Sequence, residues 1–290
     1  QFNDAKNKHE VEMMKNRQYL ITFLHPAAPV NHTMIKNLAA KGVSSLTLDG
    51  IPRISRAQSM DALTSMSTVA GYKGLLMAAD RLAKFVPMVG TAVGMIKPAN
   101  VLVCVADIRP AACEQAQSLG AKIIDLKIPS ELAVGPGGYA LRLPEEWILK
   151  EREVLKEVVA ETDIIILTAL IPGKLAPVLI TEAMVKSMRK GSAIIDVAID
   201  QGGNCEITEP GMVTEKYEVS IDGTKNIPGM LPTSSTWMFA HNIYNFVAYF
   251  VNNGEVKLDR NDEIIASSLV TIDGNLVHAG ALEAMKMNLK

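Results

Sequence analysis

The sequence predicts an α/β protein built on parallel sheets in two domains. Residues 162–205 read strand, loop, helix, strand, loop. Residues 19–49 carry a shorter strand–helix–strand pattern. The chain has 290 residues, length for two domains of roughly 100–200 residues each. Strand–helix–strand units cross over right-handed and give parallel strands. Ligands of such sheets sit beyond the carboxyl ends of the strands.

The elements follow in order. Residues 1–18 are polar and predict a frayed helix. A strand over 19–24 closes at His25-Pro26, a helix over 33–41 turns Met34, Leu38 and Ala39 inward, and Gly42 stops it. The next strand covers 43–49. Val69, Tyr72, Leu76, Ala79, Ala83 and Val86 recur at helical spacing and predict an inward stripe on a helix over 67–86. Pro87 ends that helix. A strand over 101–106 is closed by Asp107, and a helix starts at Pro110 with Ala112, Cys113, Ala116 and Leu119 inward. A helix over 144–161 buries Trp147, Ile148, Leu155, Val158 and Val159.

In the central unit, Ile164–Leu167 is a continuous apolar run suited to a strand buried on both faces. Thr181 caps a helix whose inner face is Met184, Val185 and Met188. Arg189 and Lys190 fall in its last turn, and Gly191 ends it. The strand over 193–197 leads into a flexible loop, Gln201-Gly202-Gly203-Asn204. Beyond it come a weak strand at 219–221, a helix over 237–251, and short strands within 256–258 and 264–277 around the turn Asp273-Gly274.

Composition narrows the function. Hydrophobic residues make up 48% and charged ones 21%, which supports a core and excludes a disordered chain. A net charge of −2 argues against a nucleic-acid surface. Cys104, Cys113 and Cys205 are odd in number and fit a reducing compartment better than a disulfide framework. The five histidines are scattered, with no metal-ligand spacing, so no metal is expected. No apolar run approaches the roughly 20 residues of a membrane span.

Two stretches invite a ligand. Within 52–66, Arg53, Gln58, Asp61 and Thr64 offer a cation, an amide, a carboxylate and a hydroxyl. That set can grip a polar ligand such as a carboxamide and its ribose. It also suits a solvated loop ending in a helix cap. The glycine-rich 134–139 can bring backbone close to a pyrophosphate at Gly138, with Tyr139 as a lid, or be an ordinary connection. Asp107 ends a strand as ribose-binding acids do, yet no GxGxxG turn precedes it.

PRISRAQSMDALTSM at 52–66, AGYK at 70–73, TALIPGKLAPVLIT at 168–181 and GGNC at 202–205 resemble the NAD(H)-binding component of proton-translocating nicotinamide nucleotide transhydrogenase. Alanine dehydrogenase is the neighbouring family with the same fold. The resemblance covers nearly the whole chain. It implies two Rossmann-like parallel-sheet domains, 1–64 with 243–290 as a partial first domain and 65–242 as the NAD-binding domain, with NAD in the cleft. Hydride passes directly between NAD(H) and NADP(H) on a partner component, so positioning matters more than an acid or base. A membrane component couples this to proton movement. The component is a homodimer, a soluble domain held by its partners at the cytoplasmic face in bacteria or the matrix face of the mitochondrial inner membrane.

Carried over by position, Arg53, Gln58, Asp61 and Thr64 resemble the set around the nicotinamide and its ribose. Thr64 stands where the family usually has Ser. Gln58, Ser59, Met60 and Asp61 form the loop expected to meet the NADP-carrying partner. Asp107, Ile108 and Arg109 match the adenosine-ribose segment, Gly138 a pyrophosphate contact, Tyr139 the lid, and Leu170 the loop under the nicotinamide.

Three departures stand out. About 20 residues of the usual roughly 30-residue βαβ unit are absent between Val103 and Cys104, so two strands are fused in VLVCVAD. The second domain thus lacks its first βα unit and the glycine turn that meets phosphate, and weak or no NAD binding is expected. True divergence and a gene-model error both explain the loss. By the same resemblance, the first domain is expected to lack its opening strands in this sequence. Finally, His25 and Asp200 resemble alanine dehydrogenase positions, although a lone His after a strand is more often structural. Alanine dehydrogenase and a non-catalytic remnant of the fold are the alternatives. RAQSMDAL and GGNC favour transhydrogenase.

Overall fold

The computed structural model describes residues 2–3, 8–104, 114, 116–124, 126, 128–129, 132, 143–169 and 175–286. The chain divides into two units, Gln1–Ser65 with Thr236–Lys290, and Met66–Ser235.

In unit 1, where a frayed helix was expected over 1–18, a short antiparallel pair, Phe2–Asn3 with Lys8–His9, precedes one turn of helix at Glu10–Met13; β1 (Tyr19–Thr22), α1 (His32–Ala40) and β2 (Ser44–Thr47) follow. β1 and β2 pair in parallel, Tyr19 opposite Ser44 and Thr22 opposite Thr47. α1 buries Ile35, Leu38 and Ala39, and Met34, partly buried, packs against the same core. β2 is buried at every position although three of its four residues carry hydroxyls. Two of those hydroxyls have partners across the sheet: Ser45 Oγ lies 2.6 Å from Thr271 Oγ1, and Thr47 Oγ1 accepts from Leu24 N at 3.1 Å.

A 3₁₀ turn, Ser55–Met60, leads into α2 (Ala62–Arg81). This helix starts well before residue 67 and stops before Pro87, and its inward stripe differs from the expected one. Val69, Ala70, Met77 and Ala78 are buried, whereas Tyr72 is 61% and Leu76 46% exposed. Apolar residues surround α2, and small ones decide the packing. Gly74 faces the sheet, where an added Cβ would lie 3.6 Å from Ile195 Cγ2.

Unit 2 continues through a hairpin of Val89–Thr91 and Gly94–Ile96 that the sequence patterns did not suggest. Then come β3 (Val101–Cys104), α3 (Glu145–Ala160), β4 (Ile164–Leu167), α4 (Glu182–Ser187), β5 (Ala193–Asp196), β6 (Val213–Lys216) and β7 (Val219–Asp222). The sheet order is β6-β7-β5-β4-β3, parallel except for the β6–β7 hairpin. β4 and β5 are buried at every position. Ile164 and Ile166 pack with Ala70, Met77 and Ala78 of α2. Ile165 and Leu167 pack on the other face with Leu155 and Val159 of α3 and Met184 and Val185 of α4. Alternating strand directions thus fill two layers, each buried side chain contributing about 2 kcal/mol.

β3 runs unbroken through the Val103–Cys104 junction, pairing Val101 with Ile164 and Cys104 with Leu167. Among the described residues it is the sheet's edge, and Val101 and Val103 are 41% and 50% exposed. Leu119, expected inward, is 89% exposed. Ala112 and Cys113 lie outside the described residues. Thr181 caps α4 by accepting from Met184 N at 3.3 Å. The helix ends at Ser187, so Arg189 and Lys190 lie beyond it. They serve as ion-pair partners of Asp163 and Glu218.

The chain returns to unit 1 along α5 (Pro232–Phe250), then α6 (Glu263–Ser268), β8 (Leu269–Ile272), β9 (Asn275–Leu276) and α7 (Ala279–Ala284). Short strands were expected within 264–277, and β8 and β9 form there around Asp273-Gly274, but the first part of that range is helical. Asp262 caps that helix, its carboxylate accepting from Ile264 N at 2.9 Å and Ile265 N at 3.2 Å. The sheet order is β9-β8-β2-β1, with β8 antiparallel to β2 and to β9. Phe246, Phe250, Leu46 and Leu269 centre this core.

Candidate functional site

In unit 1 the polar stretch becomes the 3₁₀ turn and the start of α2. Asp61 is 9% exposed and caps α2. Its carboxylate accepts from Thr64 N at 2.9 Å and from Thr64 Oγ1 at 2.6 Å. Two of the four expected residues are therefore joined, and the helix cap is real. Gln58 and Ser59 are exposed and Met60 is buried. Arg53 is exposed.

Side chains that the sequence did not single out hold this turn. Arg56 donates to Tyr249 Oη at 2.8 Å and to Asp262 Oδ2 at 2.9 Å. Asn242 Nδ2 and Asn245 Nδ2 donate to Ser59 O at 2.9 and 3.3 Å. Spacing of three on one helix brings the two asparagines to one carbonyl, a signal that has meaning only once the turn's place is known.

His25 adopts φ +43° and stacks on Phe23 at 6.2 Å. Its Nδ1 lies 3.2 Å from Asp49 Oδ2. The Asp49 contact raises the imidazole pKa against the opposing effect of burial. Burial pushes the Asp49 carboxyl up, but His25 and the Thr47 hydroxyl together hold it below its usual range. The paired form is the charged one.

In unit 2 the carboxyl edge of the sheet is organised by Asp196 and Asn204, both fully buried. Asn204 N donates to Asp196 Oδ1 and Oδ2 at 3.1 and 3.0 Å, and Cys205 N to Oδ2 at 3.0 Å. Burial raises the Asp196 pKa despite these donors. The loop expected to be flexible is thus bonded closely to the sheet. Gly203 has φ +83°, and a Cβ there would come 2.7 Å from Asp196 Oδ2. An aspartate at a strand end with Gly-Gly-Asn soon after is the pattern that signals this arrangement. Asp200 accepts from Asn226 N at 3.2 Å. Asp107, Ile108, Arg109, Gly138, Tyr139 and Leu170 lie outside the described residues. Among the described residues no group of three or more His, Cys, Asp or Glu could hold a metal ion. No described helix is long and apolar enough to cross a membrane.

Two family models match the chain. Alanine dehydrogenase/PNT, N-terminal domain, covers residues 4–70, and alanine dehydrogenase/PNT, C-terminal domain, covers 74–279. The first portion of NAD(P) transhydrogenase subunit alpha, from Rhodospirillum rubrum, is 39% identical over 93% of this chain and 76% of its own length. The crystal structure of transhydrogenase from Sinorhizobium meliloti superposes with a TM-score of 0.76 at 33% identity, covering 93% of this chain and 78% of that one. Alanine dehydrogenase of Halomonas elongata is more distant, 32% identical over 95% of this chain and 75% of its own length.

Proposed function

This chain belongs to the alanine dehydrogenase/PNT family, and from that premise we propose that it is the NAD(H)-binding component of a proton-translocating transhydrogenase. Hydride passes between its NAD(H) and NADP(H) held by a partner component. A membrane component couples the exchange to proton movement and, with the NADP component, holds this one, a homodimer, at the inner-membrane face.

The observation that carries this reading is the turn Ser55–Met60 capped into α2 by Asp61. It leaves Arg53 and Gln58 exposed on the chain entering a 20-residue helix. Asp61 and Thr64 give that chain one fixed course. Arg53, Gln58, Asp61 and Thr64 then orient the nicotinamide and its ribose, and Gln58 to Asp61 face the partner. Asp107, Ile108 and Arg109 receive the adenosine ribose, Gly138 the pyrophosphate, and Tyr139 and Leu170 flank the bound nucleotide. The nicotinamide would supply the hydride as NADH or accept it as NAD; this chain supplies orientation, which direct transfer requires.

The residues suit the nicotinamide end better than the pyrophosphate end. No glycine occurs from Cys104 to Cys113, so the usual meeting of phosphate with a helix N-terminus after a glycine turn has no counterpart at β3. Weak NADH binding follows. Mixing this protein with the NADP-binding and membrane components should restore NADH-dependent reduction of an NADP analogue, at high NADH. No reduction at any NADH concentration would count against the function, and micromolar NADH affinity against the weakened phosphate end.

The His25–Asp49 pair supports a second reading, alanine dehydrogenase. Alanine-dependent reduction of NAD would establish it.

A further inference from the structure

We propose that Asn204 is a positioning residue for nucleotide binding, fixing the two flanks of the loop after β4 at the carboxyl edge of the unit-2 sheet. The proposal rests on the NAD(H) reading for the identity of the ligand. An Asn carboxamide has two N–H donors and one acceptor oxygen, and here all are engaged. Nδ2 donates to Ala169 O at 3.0 Å and to Pro177 O at 2.7 Å, while Oδ1 accepts from Ala169 N at 2.9 Å. The two bonds to Ala169 imitate a pair between adjacent strands.

The backbone of Asn204 is held just as fully. Its N–H meets both oxygens of Asp196, and its carbonyl accepts from Leu179 N at 2.8 Å and Ile180 N at 3.0 Å. One fully buried residue therefore joins the end of β4, the end of β5 and the chain entering α4. The apolar core against this edge is already closed by Leu167, Leu179, Ile180 and Cys205. A fully satisfied polar group there fixes Ala169 and Pro177 relative to one another, which apolar packing alone would leave open. Its place is where open parallel sheets meet their ligands.

Asn204→Asp separates positioning from bulk. The shape is kept, but an ionised carboxylate turns acceptors toward the carbonyls of Ala169 and Pro177. Protonation restores one donor. NADH binding, followed by NMR titration, should weaken about tenfold relative to wild type at pH 8, the loss of one buried hydrogen bond. The ratio should shrink as pH falls to 6. The Ala169 amide should exchange faster without nucleotide, and hydride transfer at saturating NADH should change less than about twofold, a KM effect rather than a kcat effect.

A folded variant with wild-type NADH affinity at pH 8, or with a loss that ignores pH, overturns the proposal. Should Asn204→Asp not fold, Asp196→Asn removes one acceptor from the Asn204 and Cys205 amides. It should weaken NADH binding about threefold, and unchanged affinity overturns the proposal. If wild type itself binds no NADH, the nucleotide reading fails in that first titration, before any variant is compared, and this proposal falls with it.

Discussion

The turn at Ser55–Met60 and the turn after β5 are held in different ways. The first is fastened from outside: Arg56 is half exposed at its side chain, and its partners Tyr249 and Asp262 come from α5 and the cap of α6. The second is fastened from within by Asp196 and Asn204, neither of which reaches solvent. Water competes for the first set of bonds and not for the second, so equal bond counts do not mean equal rigidity. A surface turn can adjust to a partner, while a buried one fixes a frame.

The difference is sharpest at Gly203. Gly203→Ala places a Cβ 2.7 Å from Asp196 Oδ2 at φ +83°. It should lower unfolding free energy by about 3 kcal/mol in a urea titration. A loss under about 0.5 kcal/mol, the ordinary surface value, would break the claim that this turn is rigid.

Burial also predicts a pH effect in unit 2. Glu151 of α3 is 2% exposed, and burial pushes its pKa from 4.5 up to about 7, against the pull of Arg152. A carboxyl raised in the fold binds its proton more tightly folded than unfolded, so its stability cost is absent below pH 4.5 and complete above pH 7. Glu151→Gln should therefore stabilise the protein at pH 8, by up to about 3 kcal/mol, and change little at pH 4. Equal effects at both pH values would contradict the burial argument.

At the unit-1 turn the expected effects are smaller. Asp61→Ala removes the cap of α2 and should cost about 1 kcal/mol, measured by thermal unfolding, together with most hydride transfer in the assembled complex. Asp61→Asn should keep much of the cap and lose the transfer. The smallest effect belongs to Arg56→Ala, about 0.5 kcal/mol and reduced by salt. A loss as large as that of Gly203→Ala would erase the distinction between the turns.

The sequence revealed the parallel units because their signals are local. Ile164–Leu167 is apolar without interruption, and Thr181 stands where a cap belongs. α2 was misplaced because its apolar residues lie on every side; Ala70 and Gly74, not Tyr72, meet the sheet. Of the range 264–277 expected to hold short strands, the first part is a helix because Asp262 caps it, and the strands follow at Leu269–Ile272 and Asn275–Leu276. The polar stretch at 52–66 was visible because its residues are contiguous. Asn204 was hidden because its partners, Ala169 and Pro177, are distant in sequence.

Reduction of an NADP analogue by NADH, with this protein mixed with the NADP-binding and membrane components, tests the proposed function most directly. The expected result is reduction that depends on this protein, needs millimolar NADH and vanishes with Asp61→Asn. No reduction at any NADH concentration, with the protein folded and the partners active alongside a relative's NAD(H) component, would contradict it.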